Sequence, residues 1–203
     1  MNDLDLRKVK ELFARLFVLA IQNKINFDSF IYFLERSTFL KKIQIGEYDD
    51  YLNKPLQTIF KDITNFEIKS DTSYGIYNDA YWCGYSYFEL YRRLNKSFAF
   101  IFLKLPLKRM MDIYSIYHEM DISSLVDYFN KLDKEKTIMR LLCERKQCSI
   151  TDISLATGIN PATLSKYNAS DDALYKASFQ SIMHIVKFFD APISLFVQNI
   201  IEL

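Results

Sequence analysis

Four glycines and four prolines are the only backbone breakers in 203 residues. Sheet proteins need a turn every few residues, and turns draw heavily on these two types. Their scarcity points to helices joined by short connections, an all-α fold. Half of the residues are apolar, enough for a medium domain joined to a small one.

Helical spacing runs along most of the chain. Leu6, Val9, Leu12, Phe13, Leu16, Phe17, Ala20 and Ile21 recur three and four apart, an amphipathic helix. Asn26 can cap a helix to about Glu35, Ser37 or Thr38 can open a short piece, Gly46 interrupts, and Pro55 suits the first turn of a helix carrying Ile59, Phe60 and Ile63. The polar stretch Thr64 to Tyr77 reads as a loop or small hairpin. Asn78 to Asn95 reads as a helix crowded with Tyr81, Trp82, Tyr85, Tyr87, Phe88 and Tyr91, the core of an N-terminal domain. Ser97 caps Phe98 to Leu103, Pro106 opens a helix to about His118, and Asp121 caps one to about Leu132. The polar run Asn130 to Lys136 is the expected boundary between a domain over 1–130 and a second over 131–203.

Net charge is +1, from 26 basic and 25 acidic residues, so any attraction to a polyanion is local. Lys136, Arg140, Arg145, Lys146 and Lys166 outnumber Glu144 and Asp152 over 136–166, which concentrates positive charge there. Cys83, Cys143 and Cys148 form no C-x-x-C pair, so neither a disulfide framework nor a zinc site is indicated, and reduced thiols are expected. The N-terminus lacks a signal-peptide layout and no apolar run is long enough to cross a membrane, so a cytoplasmic protein without membrane attachment is expected.

From Ser149 to Tyr167 every slot of a helix-turn-helix can be filled. Ser149 and Asp152 make a capping box for the first helix. Gly158 supplies the positive φ of a tight turn, Ile159 an apolar plug, and Asn160-Pro161 a cap followed by a first-turn proline. Ile153, Ile159, Leu164 and Tyr167 then fall between the helices, with small Ser154 allowing close approach. Pro161, Ala162, Thr163, Ser165 and Lys166 face outward. Ile138, Leu141, Leu142 and Cys148 suit a supporting helix, Ser178 caps Phe179 to Phe189, and Pro192 opens a last helix through Ile200.

With cap, turn glycine, plug and closing helices in this order, residues 137–197 resemble the XRE family, the phage-repressor and Cro-like helix-turn-helix domains. The resemblance implies a small five-helix domain that reads duplex DNA through its second motif helix, and a sequence-specific transcriptional regulator. Because one such helix with small side chains reads few bases, a homodimer on paired half-sites is expected. The positions it carries to DNA are Thr151, Asn160, Pro161, Ala162, Thr163, Ser165, Lys166 and Asn168, with Lys176 approaching the backbone. This chain departs from the pattern at Ile150, where a polar phosphate contact is common, at Pro161 and Ala162, which replace polar base readers, and at Thr157, where a larger apolar residue is usual. Readout falls to Ala162 against a thymine methyl, Thr163 and Ser165 to either groove edge, and Lys166 to guanine or phosphate. A five-helix domain that keeps this fold and binds protein is the alternative for the same motif.

The rest of the chain offers little chemistry. His118 and His184 are the only histidines, and neither has neighbours spaced as metal ligands. His118 is expected to cap a helix end. Arg109 and His118 are too far apart for the Arg–His pairing of certain helical ribonucleases, and there is no phosphate loop or nucleophile elbow. Neither an enzyme nor a cofactor is expected. The stretch Leu105 to Asp121 loosely resembles segments preceding such domains in uncharacterised bacterial regulators. Two roles for the N-terminal domain remain open: gripping a toxin while the C-terminal domain autoregulates the operon, as antitoxins do, or sensing a small molecule in an apolar pocket by Tyr81, Tyr85 and Phe88.

Overall fold

A computed structural model describes residues 3–68 and 77–196. Every regular element among them is helical, so the all-α expectation holds. The chain forms two compact units, one of residues 1–94 with 106–126 and the other of 95–105 with 127–203. The second unit thus takes in an early segment, 95–105, which a single cut near residue 130 leaves in the first.

In the first unit, α1 (Asp3–Gln22) lies along α6 (Asn78–Leu94). Phe13, Phe17, Phe30, Phe39, Phe60, Tyr87 and Phe88 fill the centre, each at most 1 % exposed. Phe17 meets Phe30 edge to face at 5.1 Å, the arrangement that ring quadrupoles favour. The two helices approach so closely that a Cβ on Gly84 would lie 2.7 Å from the Ala14 Cα. Glu89, 6 % exposed, anchors the crossing by accepting from Lys10 Nζ at 2.7 Å, with Arg93 at 3.4 Å. Burial alone would push its carboxyl up, but these cations hold it below the usual glutamate range.

Around that pair, Asn26 caps α2 (Phe27–Arg36) and Ser37 caps α3 (Thr38–Gln44). A short α4 (Asp49–Leu52), absent from the sequence reading, buries Tyr51 against Phe39. Pro55 stands at the N-cap of α5 (Leu56–Thr64). Asn65 to Ile68 have no regular structure, and the rest of the expected loop or hairpin, from 69 to 76, lies outside the described residues.

The single helix expected from Pro106 to His118 is instead two, α8 (Leu107–Asp112) and α9 (Tyr114–Tyr117), parted at Ile113. Trp82 packs edge-on to the Tyr114 ring at 5.6 Å, fixing α9 against α6. The polar run from Asn130 is likewise no linker. It is helical to Glu135 as the end of α10 (Ile122–Glu135), because Leu125, Phe129 and Leu132 continue one buried stripe through it. Asp121 caps this helix, its carboxylate accepting from the Ser123 amide at 2.8 Å.

The second unit joins the last part of α10 to α7 (Phe98–Lys104), α11 (Ile138–Lys146), α12 (Ile150–Thr157), α13 (Pro161–Ala169), α14 (Asp171–Tyr175) and α15 (Phe179–Phe189). Every residue of α7 is buried. Its Lys104, with a side chain 1 % exposed, donates to the Asp133 carbonyl at 3.0 Å and the Lys136 carbonyl at 2.5 Å. The same ammonium pairs with the Asp133 carboxylate at 2.9 Å and with Asp171 at 3.5 Å. Asp171 also accepts from the Ile138 amide at 2.7 Å, so one buried cation gathers the ends of α10, α11 and α14. Of the last expected helix, the described part is a 3-10 turn, Ile193–Phe196, and the remainder to Ile200 lies outside the described residues.

Candidate nucleic-acid interface

The α12–α13 pair is built by local signals at both ends of each helix. Ser149 and Asp152 form a reciprocal capping box, with the Ser149 amide donating to Asp152 Oδ2 at 2.7 Å and the Asp152 amide to Ser149 Oγ at 3.2 Å. The bond from Ser149 holds the Asp152 carboxyl below the usual aspartate range. Gly158 ends α12 with φ +72°, and its amide donates to the Ser154 carbonyl at 2.8 Å. That left-handed backbone costs glycine nothing and a side chain about 1 kcal/mol. Asn160 then caps α13, accepting from the Ala162 amide at 2.8 Å, and Pro161 occupies the first turn.

Side chains between the helices close the turn. Ser154 Oγ donates to the Ile159 carbonyl at 2.7 Å, and Thr157 Oγ1 donates to the Ile153 carbonyl at 2.6 Å while accepting from the Ile159 amide at 3.3 Å. The departure at Thr157 is therefore used: where bulk would pack, its hydroxyl satisfies the turn. Ile153 and Leu164 are 0 % exposed, and Ile159 and Tyr167 are 9 %. Sequence spacing assigns all four correctly to the inner side.

The sequence-derived DNA positions fall into two sets. Pro161, Ala162, Ser165 and Lys166 are exposed at helical spacing on one face of α13, with Asn160 just before them. Thr151 is exposed in the first turn of α12, and Lys176 is exposed just after α14. Thr163 and Asn168 are half-buried, and the Asn168 carbonyl accepts from Thr137 Oγ1 at 2.8 Å. Asn168 also lines an open cleft of about 610 Å³ with Arg140, Cys143, Ser149 and Ile150.

Arg140 is not among the residues that the sequence assigns to DNA, yet it reaches this cleft from α11. Its place in the basic cluster is the signal that could have found it. The cluster itself is partly spent internally, with Lys136 on Glu144 at 2.7 Å, Arg140 on Glu144 at 3.6 Å, and Lys146 donating to the Phe188 carbonyl over the Phe188 ring. Among the described residues no carboxylate pairs with Arg145, Lys166 or Lys176.

Elsewhere the tempting residues have structural partners. A His118 ring nitrogen lies 2.9 Å from the Tyr114 carbonyl, and the ring stacks on Tyr114, so it finishes α9 as a cap. Among the described residues no three His, Cys, Asp or Glu side chains converge as metal ligands. Tyr81 donates to Glu11, and Lys10 donates to Tyr85 at 2.8 Å, so both phenols tie α6 to α1 while Phe88 is buried. No helix among the described residues is long and apolar enough to cross a membrane. Compared with family models, curated proteins and solved structures, this chain matches none.

Proposed function

We propose that this protein is a sequence-specific DNA-binding transcriptional regulator of the XRE helix-turn-helix kind, acting as a homodimer and laying α13 in the major groove. The observation that carries the reading is the division of α13: Leu164 and Tyr167 are buried against the fold, whereas Pro161, Ala162, Ser165 and Lys166 form an exposed, small and cationic face. Small side chains let the helix backbone approach base edges. Ala162 suits a thymine methyl, Ser165 offers a hydroxyl to either groove edge, and Lys166 suits guanine or phosphate. Thr151, before the helix in the chain, and Lys176, after it, are both exposed and suit the phosphate backbone. So few base contacts supply little specificity from one copy, and two copies on paired half-sites multiply it.

The test compares two residues that are neighbours in sequence. An operator is first selected from random duplexes with the full chain and then titrated. Lys166→Ala is expected to melt like the parent while losing about 1–3 kcal/mol at one operator position for a base contact, or lowering the salt slope by about one unit for a phosphate contact. Leu164→Ala is expected to lose about 2–5 kcal/mol of stability through its cavity. A normally melting Lys166→Ala protein with parental affinity, or a parent with no salt-sensitive binding to any duplex, overturns the proposal and favours a protein partner for this face.

A further inference from the structure

At the end of α11 the chain turns through a Schellman motif. Gln147 has φ +54°, the Cys148 amide donates to the Cys143 carbonyl at 3.1 Å, and the Gln147 amide donates to the Glu144 carbonyl at 3.3 Å. This motif brings the side chains of its first and last residues together, a contact usually made by two apolar groups. Here both are cysteines. The backbone bond between them limits their Cα separation to about 7 Å, and disulfides span about 4.4–6.8 Å. Both cysteines are half-buried on the wall of the open cleft of about 610 Å³, whereas Cys83 is 0 % exposed inside the first unit.

We propose that Cys143 and Cys148 are a redox-responsive dithiol, which a peroxide or a small disulfide closes into an intramolecular bond between the end of α11 and the entry to α12. With hydrogen peroxide, the Cys148 sulfur attacks one peroxide oxygen, the O–O bond breaks, and water leaves with the thiol proton, giving a sulfenic acid. The Cys143 sulfur then attacks that sulfur. The S–O bond breaks, a second water leaves, and the two thiols have given two electrons to the peroxide. With a small disulfide, Cys148 forms the mixed disulfide and Cys143 displaces the small thiol. Burial pushes the Cys143 thiol up to about 11, which lowers its thiolate fraction, so Cys148 is assigned the first attack and Cys143 the second. Since Cys148 directly precedes the Ser149 cap, the new bond fastens the start of α12 without unmaking the capping box.

The experiment treats the full chain with one equivalent of hydrogen peroxide, or with oxidised glutathione, and reads intact mass, peptide map and melting temperature. The expected product has lost two hydrogens, links the peptides of Cys143 and Cys148, leaves Cys83 free, melts higher than the reduced protein, and reverts with dithiothreitol. Cys148→Ser and Cys148→Ala are each expected to abolish the loss of two hydrogens, while Cys143→Ser stops at a glutathione adduct on Cys148. Separate adducts on both cysteines of the parent, a cross-link between chains, no reaction where a free cysteine peptide reacts, or an oxidised form that melts lower would each overturn the proposal. None of these readouts involves DNA, so they stand apart from the test of Lys166.

Discussion

In the first unit, α1 and α6 meet at a distance that only Gly84 allows, and rings from five helices fill the space around that crossing. Four of its short helices, α4, α5, α8 and α9, begin without any side-chain cap. In the second unit, α7, α11, α12, α13, α14 and α15 all begin on a serine, threonine or asparagine whose oxygen accepts a backbone amide. The contrast separates two ways of fixing a helix. A helix can be positioned by the apolar face it packs on, or by having its free amides satisfied at a defined residue. A surface of small, exposed side chains gains from the second way, because its helix can be placed without large residues of its own.

The sharpest challenge to this division is Lys104, a tertiary anchor inside the capped unit. Lys104→Met removes the cation shared by Asp133 and Asp171 and leaves two carbonyls without their donor. The expected loss is about 3 kcal/mol, the lower end for a broken buried pair because both carboxylates still reach water. Chemical denaturation followed by circular dichroism measures it, and a loss below about 1 kcal/mol would leave the caps as the main determinant.

Next in size is Gly84→Ala, whose added methyl meets the Ala14 backbone. The expected cost is about 1–3 kcal/mol, confined to the first unit. Trp82, the single tryptophan, lies in that unit, so its fluorescence reports the change directly. Ser149→Ala removes half of the capping box, and about 1 kcal/mol is expected from the second unit with no shift of the Trp82 transition.

The smallest expected effect is on acid sensitivity. The folded state holds Glu89 below its ordinary value of 4.5, so its contribution is complete above that pH and is lost as pH falls through the lower, folded value. The denaturation midpoint of the first unit is expected to drop below about pH 4.5, and Glu89→Gln to flatten that part of the profile. A Glu89→Gln profile parallel to the parent's would remove the carboxylate from the account.

The same contrast explains what could be read from the chain. Ser149, Asp152, Gly158 and Asn160-Pro161 act within a few residues of themselves, so the starts of α12 and α13 and the turn between them are legible in the sequence. The break at Ile113 is not, because nothing local stops a helix there, and Tyr114 just beyond it packs on Trp82 of a distant helix. The polar run after Asn130 looked like a linker because its satisfaction is tertiary, with carbonyls at Asp133 and Lys136 taken by Lys104 from α7. Within the candidate site, helical spacing gives the exposure of Pro161, Ala162, Ser165 and Lys166, but not the half-burial of Thr163, which it also places outward. The nearness of Cys143 to Cys148 depends on a left-handed Gln147, a conformation that sequence does not announce at a glutamine.

The buried α7 carries a consequence for the chain as it is made. Its seven residues, Phe-Ala-Phe-Ile-Phe-Leu-Lys, are buried in the second unit, and its Ser97 cap also donates to the carbonyl of Ser194, 97 positions later. A ribosome adds about 5–20 residues per second, so this segment leaves the tunnel about 5–20 seconds before the residues that shelter it. During that interval it is an apolar, aromatic stretch with one charge at its end, the composition that both aggregates and binds chaperones. Production of this protein in cells should therefore respond to chaperone supply through α7, whatever the stability of the finished fold.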